Sequence, residues 1–415
     1  MSDEQAEVVV VGAGLAGLLC AVTLEELGLS VQVLEASDAV GGRLRTDLID
    51  GFRCDRGFQL LNPAYPAVRR YVDLAALELR SFAAGVAVAG DAGTRVVADP
   101  RRSPTLLGRT LTSGYLRPNE LARLAAWAAP SLGPVPRLLD HADVPLGESL
   151  DQAGVTGRLR REIFDPFFAG VLAEDNGTTS ANFARLLLRS FLLGTPAVPA
   201  AGMAALPEQL VRRLRTPVVL NTQVTSVESG PVVVTPAGRW TARAVVVATD
   251  PEAAAALVPV DAPRMKGLST YWFATTEAPR SDRLLVVDGR RTGPVVNSAV
   301  MSNVAPSYAP TGRQLVQATT LWPTPAVEAE VRIQLTRLYG RSAGPWELLV
   351  RHAIPKALPE QLPPLRTRQP VDLGDGLFVA GDHRDTASIQ GALVSGRRAA
   401  NAVAAHLGVR RTSYH

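Results

Sequence analysis

Apolar positions along the chain change period at residue 12. Glu7–Val11 is a short β-branched run, which predicts a parallel strand buried on both faces. After it, Leu18, Leu19, Val22 and Leu27 recur at helical spacing, so a helix is expected from about Leu15 to Leu27, ended by Gly28. Ser30–Leu34 returns to the strand pattern, and IDGFRCD (49–55) reads as a short hairpin. The alternation comes back twice. From Met203, Leu206, Leu210, Val211 and Leu214 share one helical face. A strand over Val218–Glu228, a hairpin of Pro231–Thr235 with Arg239–Ala242, and a buried strand from Ala244 to a small-residue turn at Asp250 follow. Near the C-terminus, Leu377–Ala380 is a strand closed by Gly381-Asp382. Ser388–Leu407 is a helix whose Gly391, Ala392, Ser395 and Gly396 permit close packing.

Alternating strands and helices put the chain in the α/β class. At 415 residues it exceeds one ordinary domain. The nucleotide-type pieces at 1–80, 200–265 and 370–415 bracket two insertions, 81–199 and 266–369. We therefore expect a discontinuous first domain and an inserted substrate domain. With 47% hydrophobic and 20% charged residues the chain can fill a core. The net charge of +4 comes almost wholly from evenly spread arginine; Lys266 and Lys356 are the only lysines. An even spread without a basic stripe argues against nucleic acid as a partner.

Cys20 and Cys54 lie in apolar runs and read as buried small hydrophobes, which fits a reducing, cytoplasmic setting. No Cys/His cluster suggests a metal. The acidic start MSDEQAE does not look like a signal peptide, and no uncharged run of about 18 apolar residues predicts a membrane span.

Gly12-Ala13-Gly14-Leu15-Ala16-Gly17 matches G-x-G-x-x-G in the strand–turn–helix context where that motif has a mechanism. Gly12 permits the tight turn, Gly14 lets a pyrophosphate approach, and Gly17 lets the helix pack on the strand. Glu35, at the end of the second strand, is placed to accept from ribose hydroxyls and would repel a 2′-phosphate. Ala36 follows it beside the expected ribose. No second such motif follows a strand, so a separate NAD(P)H domain is not expected.

After Glu35 the chain reads ASDAVGGRLRT. Its VGGRLRT resembles the glycine-glycine-arginine motif of the flavin-containing amine oxidase superfamily, which also holds the phytoene desaturase-like proteins. The resemblance implies a Rossmann-type FAD-binding domain (GR2-like) with an inserted α+β substrate domain. It assigns Gly41, Gly42 and Arg43 to the FAD pyrophosphate and ribityl chain, chemistry that suits close backbone approach and a guanidinium. Arg45 follows in the same motif. It places Gly57, Phe58 and Gln59 beneath the flavin, Val224 at the adenine, and Ala248 and Thr249 along the cofactor. Asp382, after Gly381, accepts from a ribityl hydroxyl. Ile389, Gln390, Gly391 and Ala392 present a helix N-terminus to the flavin, where its dipole stabilises negative charge. No cysteine follows Cys54, so the C-terminal cysteinyl link of some relatives has no residue to form it, and FAD should be noncovalent.

Flavin supplies the redox chemistry and the protein supplies orientation. Gln59, His383 and Lys266 are the catalytic candidates. Gln59 could reach the ring, His383 could move a proton, and Lys266 stands where amine oxidases carry a lysine near flavin N5. Each also has a plain reading: loop polarity, a backbone-bonded histidine, a charge opening a strand. Tyr and Trp are absent from Pro370–Leu407, so the late aromatic cage of typical amine oxidases is missing. PFFAGVL (166–172), PAAGMAALPEQL (199–210) and FATTEAP (273–279) look most like the phytoene desaturase-like branch. That implies removal of hydride from a small, mostly apolar organic substrate, with O2 or a quinone as acceptor. The alternatives are an amine oxidase forming an imine with O2, and a flavin-dependent non-redox isomerase. Leucines and arginines over 105–139 fit either a soluble helical lid or a peripheral membrane contact.

Overall fold

The computed structural model describes residues 2–91, 93–323 and 326–409. The strand Val8–Val11 is buried along its whole length and lies between two parallel neighbours, Ala244–Val247 and Val31–Leu34. Leu377–Val379 continues the parallel run and Asp372–Gly374 closes it antiparallel, giving a five-stranded sheet. Three separate parts of the chain thus share one sheet. Its valines are nearly all fully buried, each contributing about 1.5–3 kcal/mol.

Two helices cross over this sheet. Leu15–Glu26 follows the first strand and Ile389–His406 packs on it. They approach closely because glycine stands at both contacts. A Cβ on Gly17 would lie 2.0 Å from the Gly12 carbonyl oxygen, and one on Gly396 would lie 2.1 Å from that of Ala16. Gly12 itself has φ +105°, a conformation that side chains avoid.

A seven-stranded sheet carries the other half. Its order is Glu347–Pro359, Met265–Thr275, Gln314–Leu321, Val295–Val300, Leu285–Asp288, Gly85–Gly90 and Gly93–Ala98. Asp165–Leu172 packs against it, and Ala181–Leu193 packs on the helix Leu146–Gln152. A four-stranded sheet joins Ser2–Gln5 to Gly238–Thr241, Val232–Thr235 and Ser226–Glu228. The chain is α/β with mixed sheets, as its alternating pattern predicts.

The strand expected over Val218–Glu228 is not continuous. Only Ser226–Glu228 joins a ladder. Val219 and Thr222 instead donate their N–H groups to Val33 and Glu35, and Asn221 has φ +53°, which breaks an extended run. The segment crosses the end of the parallel sheet as a wrapped loop. The helix expected from Met203 begins at Ala205, because the N–H groups of Met203 and Ala204 are held by Asp55 and Thr46.

Candidate functional site

A cavity of about 1270 Å³ runs between the C-terminal ends of the parallel strands and the seven-stranded sheet. It exceeds the roughly 300–1,000 Å³ of an ordinary small-ligand pocket, so it has room for a dinucleotide and a second molecule. Its two ends differ in chemistry.

One end is polar and glycine-lined. Gly12, Gly14, Leu15, Ala16, Glu35, Ala36, Gly41, Gly42 and Arg43 border it, with Val224, Ala248, Thr249, Gly381, Asp382, Ile389 and Ala392. Gly14 has open space where a Cβ would be, and Gly42 meets only Gly14 Cα at 3.5 Å. Side chains there would fill the cradle. Arg43 bridges the glycine loop to the C-terminal motif: Nη2 donates to Asp382 Oδ1 at 2.6 Å and Nη1 to the Ala357 carbonyl at 3.0 Å. Glu35 accepts from the N–H groups of Ala13 and Ser37, and still borders the cavity. Ser388 caps the last helix by accepting from Gly391 N–H, leaving that helix start beside the cavity. Open backbone, a guanidinium and a carboxylate in these places fit the pyrophosphate and hydroxyls of FAD.

Four residues assigned to the cofactor do not border the cavity. Ala13 is fully buried under the turn, and Gly17 packs on Gly12. Gln390 turns away to accept from Ala67 N–H, and Gly391 sits against the Thr386 carbonyl. They shape the site from behind. Conversely, Thr222, Gln223 and Asp250 border it without being foreseen. Asp250 caps the helix Pro251–Leu257, and Asp-Pro-Glu was a readable signal for that cap.

The other end is apolar. Phe58, Phe82, Phe164, Phe167, Phe168, Phe183 and Phe191 line it with Leu187, Leu188, Leu268 and Ile354. The helix Asp165–Leu172 carries much of this wall, where Phe164 stacks on Phe168 at 4.5 Å between ring centroids. Among the described residues the carboxylates bordering the cavity are Glu35, Asp250 and Asp382, all at the glycine-lined end.

The three catalytic candidates part company here. Gln59 borders the cavity, with Nε2 donating to the Arg43 carbonyl at 2.7 Å and a buried, unpartnered Oε1. His383 does not. Its ring tucks against Gly381, is 2% exposed and has neither nitrogen hydrogen-bonded; burial, against the pull of Asp382, brings its pKa down to about 4. The expected proton-moving role at the cavity therefore lacks geometry. Lys266 also misses it. Nζ pairs with Glu174 and donates to Thr179 Oγ1 at 2.6 Å, in a nearly buried setting. Burial acts against the Glu174 charge, yet Lys266 and Thr179 hold that carboxyl below its ordinary value. The lysine that does border the cavity is Lys356, paired with Glu252 at 2.5 Å and Asp250 at 3.6 Å.

Residues 15–404 match the family model described as flavin containing amine oxidoreductase. A 4,4'-diapolycopene oxygenase from Methylomonas sp is 45% identical over 60 residues, 14% of this chain and 12% of that protein. A putrescine oxidase from Kocuria rosea is 46% identical over 72 residues, 17% and 15% of the two chains. These matches therefore span about an eighth of those relatives' lengths. The structure of cyclohexylamine oxidase from Brevibacterium oxydans IH-35A superposes with a TM-score of 0.73 at 17% identity, covering 97% of this chain and 99% of that one. At that identity the likeness speaks for the fold.

Proposed function

The chain belongs to the flavin-containing amine oxidoreductase family, and from that premise we propose that it takes a hydride and a proton from a mostly apolar organic substrate using noncovalent FAD. The FAD-binding part would comprise 1–80, 200–265 and 370–415, and the substrate part 81–199 and 266–369. Supporting this division, the five-stranded sheet draws on the first set, while the seven-stranded sheet draws its strands almost wholly from the second.

The carrying observation is the apolar end of the cavity. Seven phenylalanines line it and, among the described residues, no carboxylate does, while Arg102 borders the cavity beside Phe191. A di- or polyammonium substrate would lose its hydration there and find no carboxylate to pair with. A neutral chain or ring gains instead, about 25 cal/mol per Å² of apolar surface buried. FAD, when bound, accepts the hydride. The residues of this chain would hold its diphosphate and ribityl groups through Gly14, Gly42, Arg43 and Asp382, flank the ring with Gly57–Gln59, and exclude water with the aromatic wall.

A second reading, oxidation of an apolar amine with O2 as acceptor, draws support from the fold likeness to cyclohexylamine oxidase. Purified protein should be yellow. Anaerobic mixing with a long polyene hydrocarbon precursor, cyclohexylamine or putrescine then tests the substrate. Bleaching by the hydrocarbon supports the first reading and bleaching by cyclohexylamine the second. Bleaching by putrescine alone would overturn both.

A further inference from the structure

The apolar floor of the cavity rests on a polar row. Leu268 and Ile354 face each other across two strands and line the cavity. Two residues along, on the same face, Thr270 pairs with His352. Thr270 in turn lies opposite Thr319, and Thr319 opposite Asn297. Four adjacent strands thus carry Asn297, Thr319, Thr270 and His352 in one lateral line, with Cβ atoms of opposite residues about 4.5–5.5 Å apart. Gln317 joins it, donating through Nε2 to Thr319 Oγ1 and to Asn297 Oδ1.

The line has two ends. Asn297 borders the cavity. His352 Nε2 lies 2.9 Å from Asp47 Oδ2, and Asp47 is held by Arg56 through Nη2 at 2.9 Å and Nε at 3.0 Å. The Asp47 and Arg56 side chains are 27% and 42% exposed; Arg56 also borders the cavity, whereas Asp47 does not. Burial, helped by the Arg56 charge, outweighs Asp47 and the nearby Asp55 backbone in keeping the imidazole neutral.

Such a row is costly in a β-sheet interior unless its polar atoms are satisfied. Yet Gln317 Oε1, Thr270 Oγ1 and His352 Nδ1 are buried without a partner. Unpartnered atoms of this kind, adjacent and facing one way, are what buried water satisfies. Apolar residues would have closed the sheet more simply.

We propose that this row, bridged by ordered water, carries a proton between the cavity at Asn297 and solvent at Asp47. The inference rests on the flavin oxidoreductase reading. Removing two electrons from a C–H bond as hydride leaves one proton to be delivered elsewhere. It enters the row as a hydrogen-bonded shift through water and the Thr319 and Thr270 hydroxyls. His352 accepts it at Nδ1 and releases the Nε2 proton to Asp47 Oδ2, so one N–H bond forms as another breaks and no electron moves. Asp47 then loses the proton to bulk water.

Two measurements decide it. A crystal structure resolving solvent should show water within hydrogen-bond distance of Gln317 Oε1, Thr270 Oγ1 and His352 Nδ1; a dry row overturns the proposal whether or not flavin is bound. In holoprotein with dodecane filling the apolar cavity, proton uptake during anaerobic reduction by the methyl viologen radical, which releases no proton of its own, can be followed with a pH-indicator dye. Thr270→Val and His352→Gln should delay uptake on the order of tenfold or more relative to flavin bleaching. Thr270→Ser, which keeps the hydroxyl, should restore it. Uptake in Thr270→Val that keeps pace with bleaching overturns the relay. Protein that never binds flavin overturns the oxidoreductase reading, and the water positions still judge the row.

Discussion

Lys266 is bound to Glu174 and turned from the cavity, both side chains being at most 10% exposed. The pair ties the strand Met265–Thr275 to the segment just after the aromatic helix Asp165–Leu172. Removing one member leaves a buried charge alone, at a cost of about 3–5 kcal/mol. Lys266→Met and Glu174→Met should each lower urea stability by that order. The double variant Lys266→Met/Glu174→Met should recover most of it, since an apolar pair replaces a buried ion pair with little loss. A catalytic lysine would behave otherwise: Lys266→Met would keep full stability and lose flavin reduction.

Gly14 and Gly17 belong to one motif but should fail differently. Gly14 has φ −74° and open space at its Cβ position. Gly14→Val should keep thermal stability of the flavin-free protein within about 1 kcal/mol of the parent. It should nonetheless lose FAD, read by absorbance after gel filtration. At Gly17 a Cβ would lie 2.0 Å from Gly12 oxygen, so Gly17→Ala should lower the melting temperature itself. Equal FAD retention in Gly14→Val would refute the cradle.

Much of this site was legible because its pieces carry local rules. The glycine loop, Glu35, the Gly41–Arg43 motif and Gly381-Asp382 each announce themselves by spacing, and the parallel sheet unites them. The fate of Lys266 was not legible, because its partner lies 92 residues away on a segment with no motif. The place of the His383 ring was hidden for a related reason. A motif fixes a backbone position, while packing against Gly381 decides where the ring goes. The polar row was invisible for want of register: Asn297, Thr319, Thr270 and His352 become neighbours only when four strands are paired.

Leu107, Leu111, Leu132, Val135 and Leu193 are exposed, and Arg102 and Phe191, neighbours of two of these segments in the chain, border the cavity. Arg102 donates to the Phe191 carbonyl and Arg189 to those of Ser131 and Gly133, which holds these segments together. Arg109 and Arg137 are exposed among them. No helix among the described residues is long and apolar enough to cross a membrane. The patch fits a peripheral contact with anionic lipid, apolar side chains seated between cations. The protein should cosediment with vesicles containing phosphatidylserine, less so at high salt. Leu111→Glu/Leu132→Glu should abolish cosedimentation with the fold intact. Unchanged cosedimentation would exclude this patch.

Asp55 gives the pH dependence a definite sign. It ends the second strand of the hairpin, fully buried, and burial pushes its carboxyl up to about 6 despite hydrogen bonds from Thr46, Met203 N–H and Tyr308. In an unfolded chain the same group titrates near 4. Between those values the folded chain keeps a proton that the unfolded chain has lost. The stability contributed by that proton is full below about pH 4 and is lost as pH rises through about 6. Two pKa units correspond to about 3 kcal/mol. Asp55→Asn keeps the shape and cannot titrate: its oxygen can accept from Thr46 and Met203, and its amide can donate to the Tyr308 oxygen. Unfolding free energies in urea at pH 4 and pH 7.5 should therefore diverge. The parent loses stability relative to Asp55→Asn on going to pH 7.5, by up to that amount. Parallel curves would mean that Asp55 ionises in the folded chain as freely as in the unfolded one.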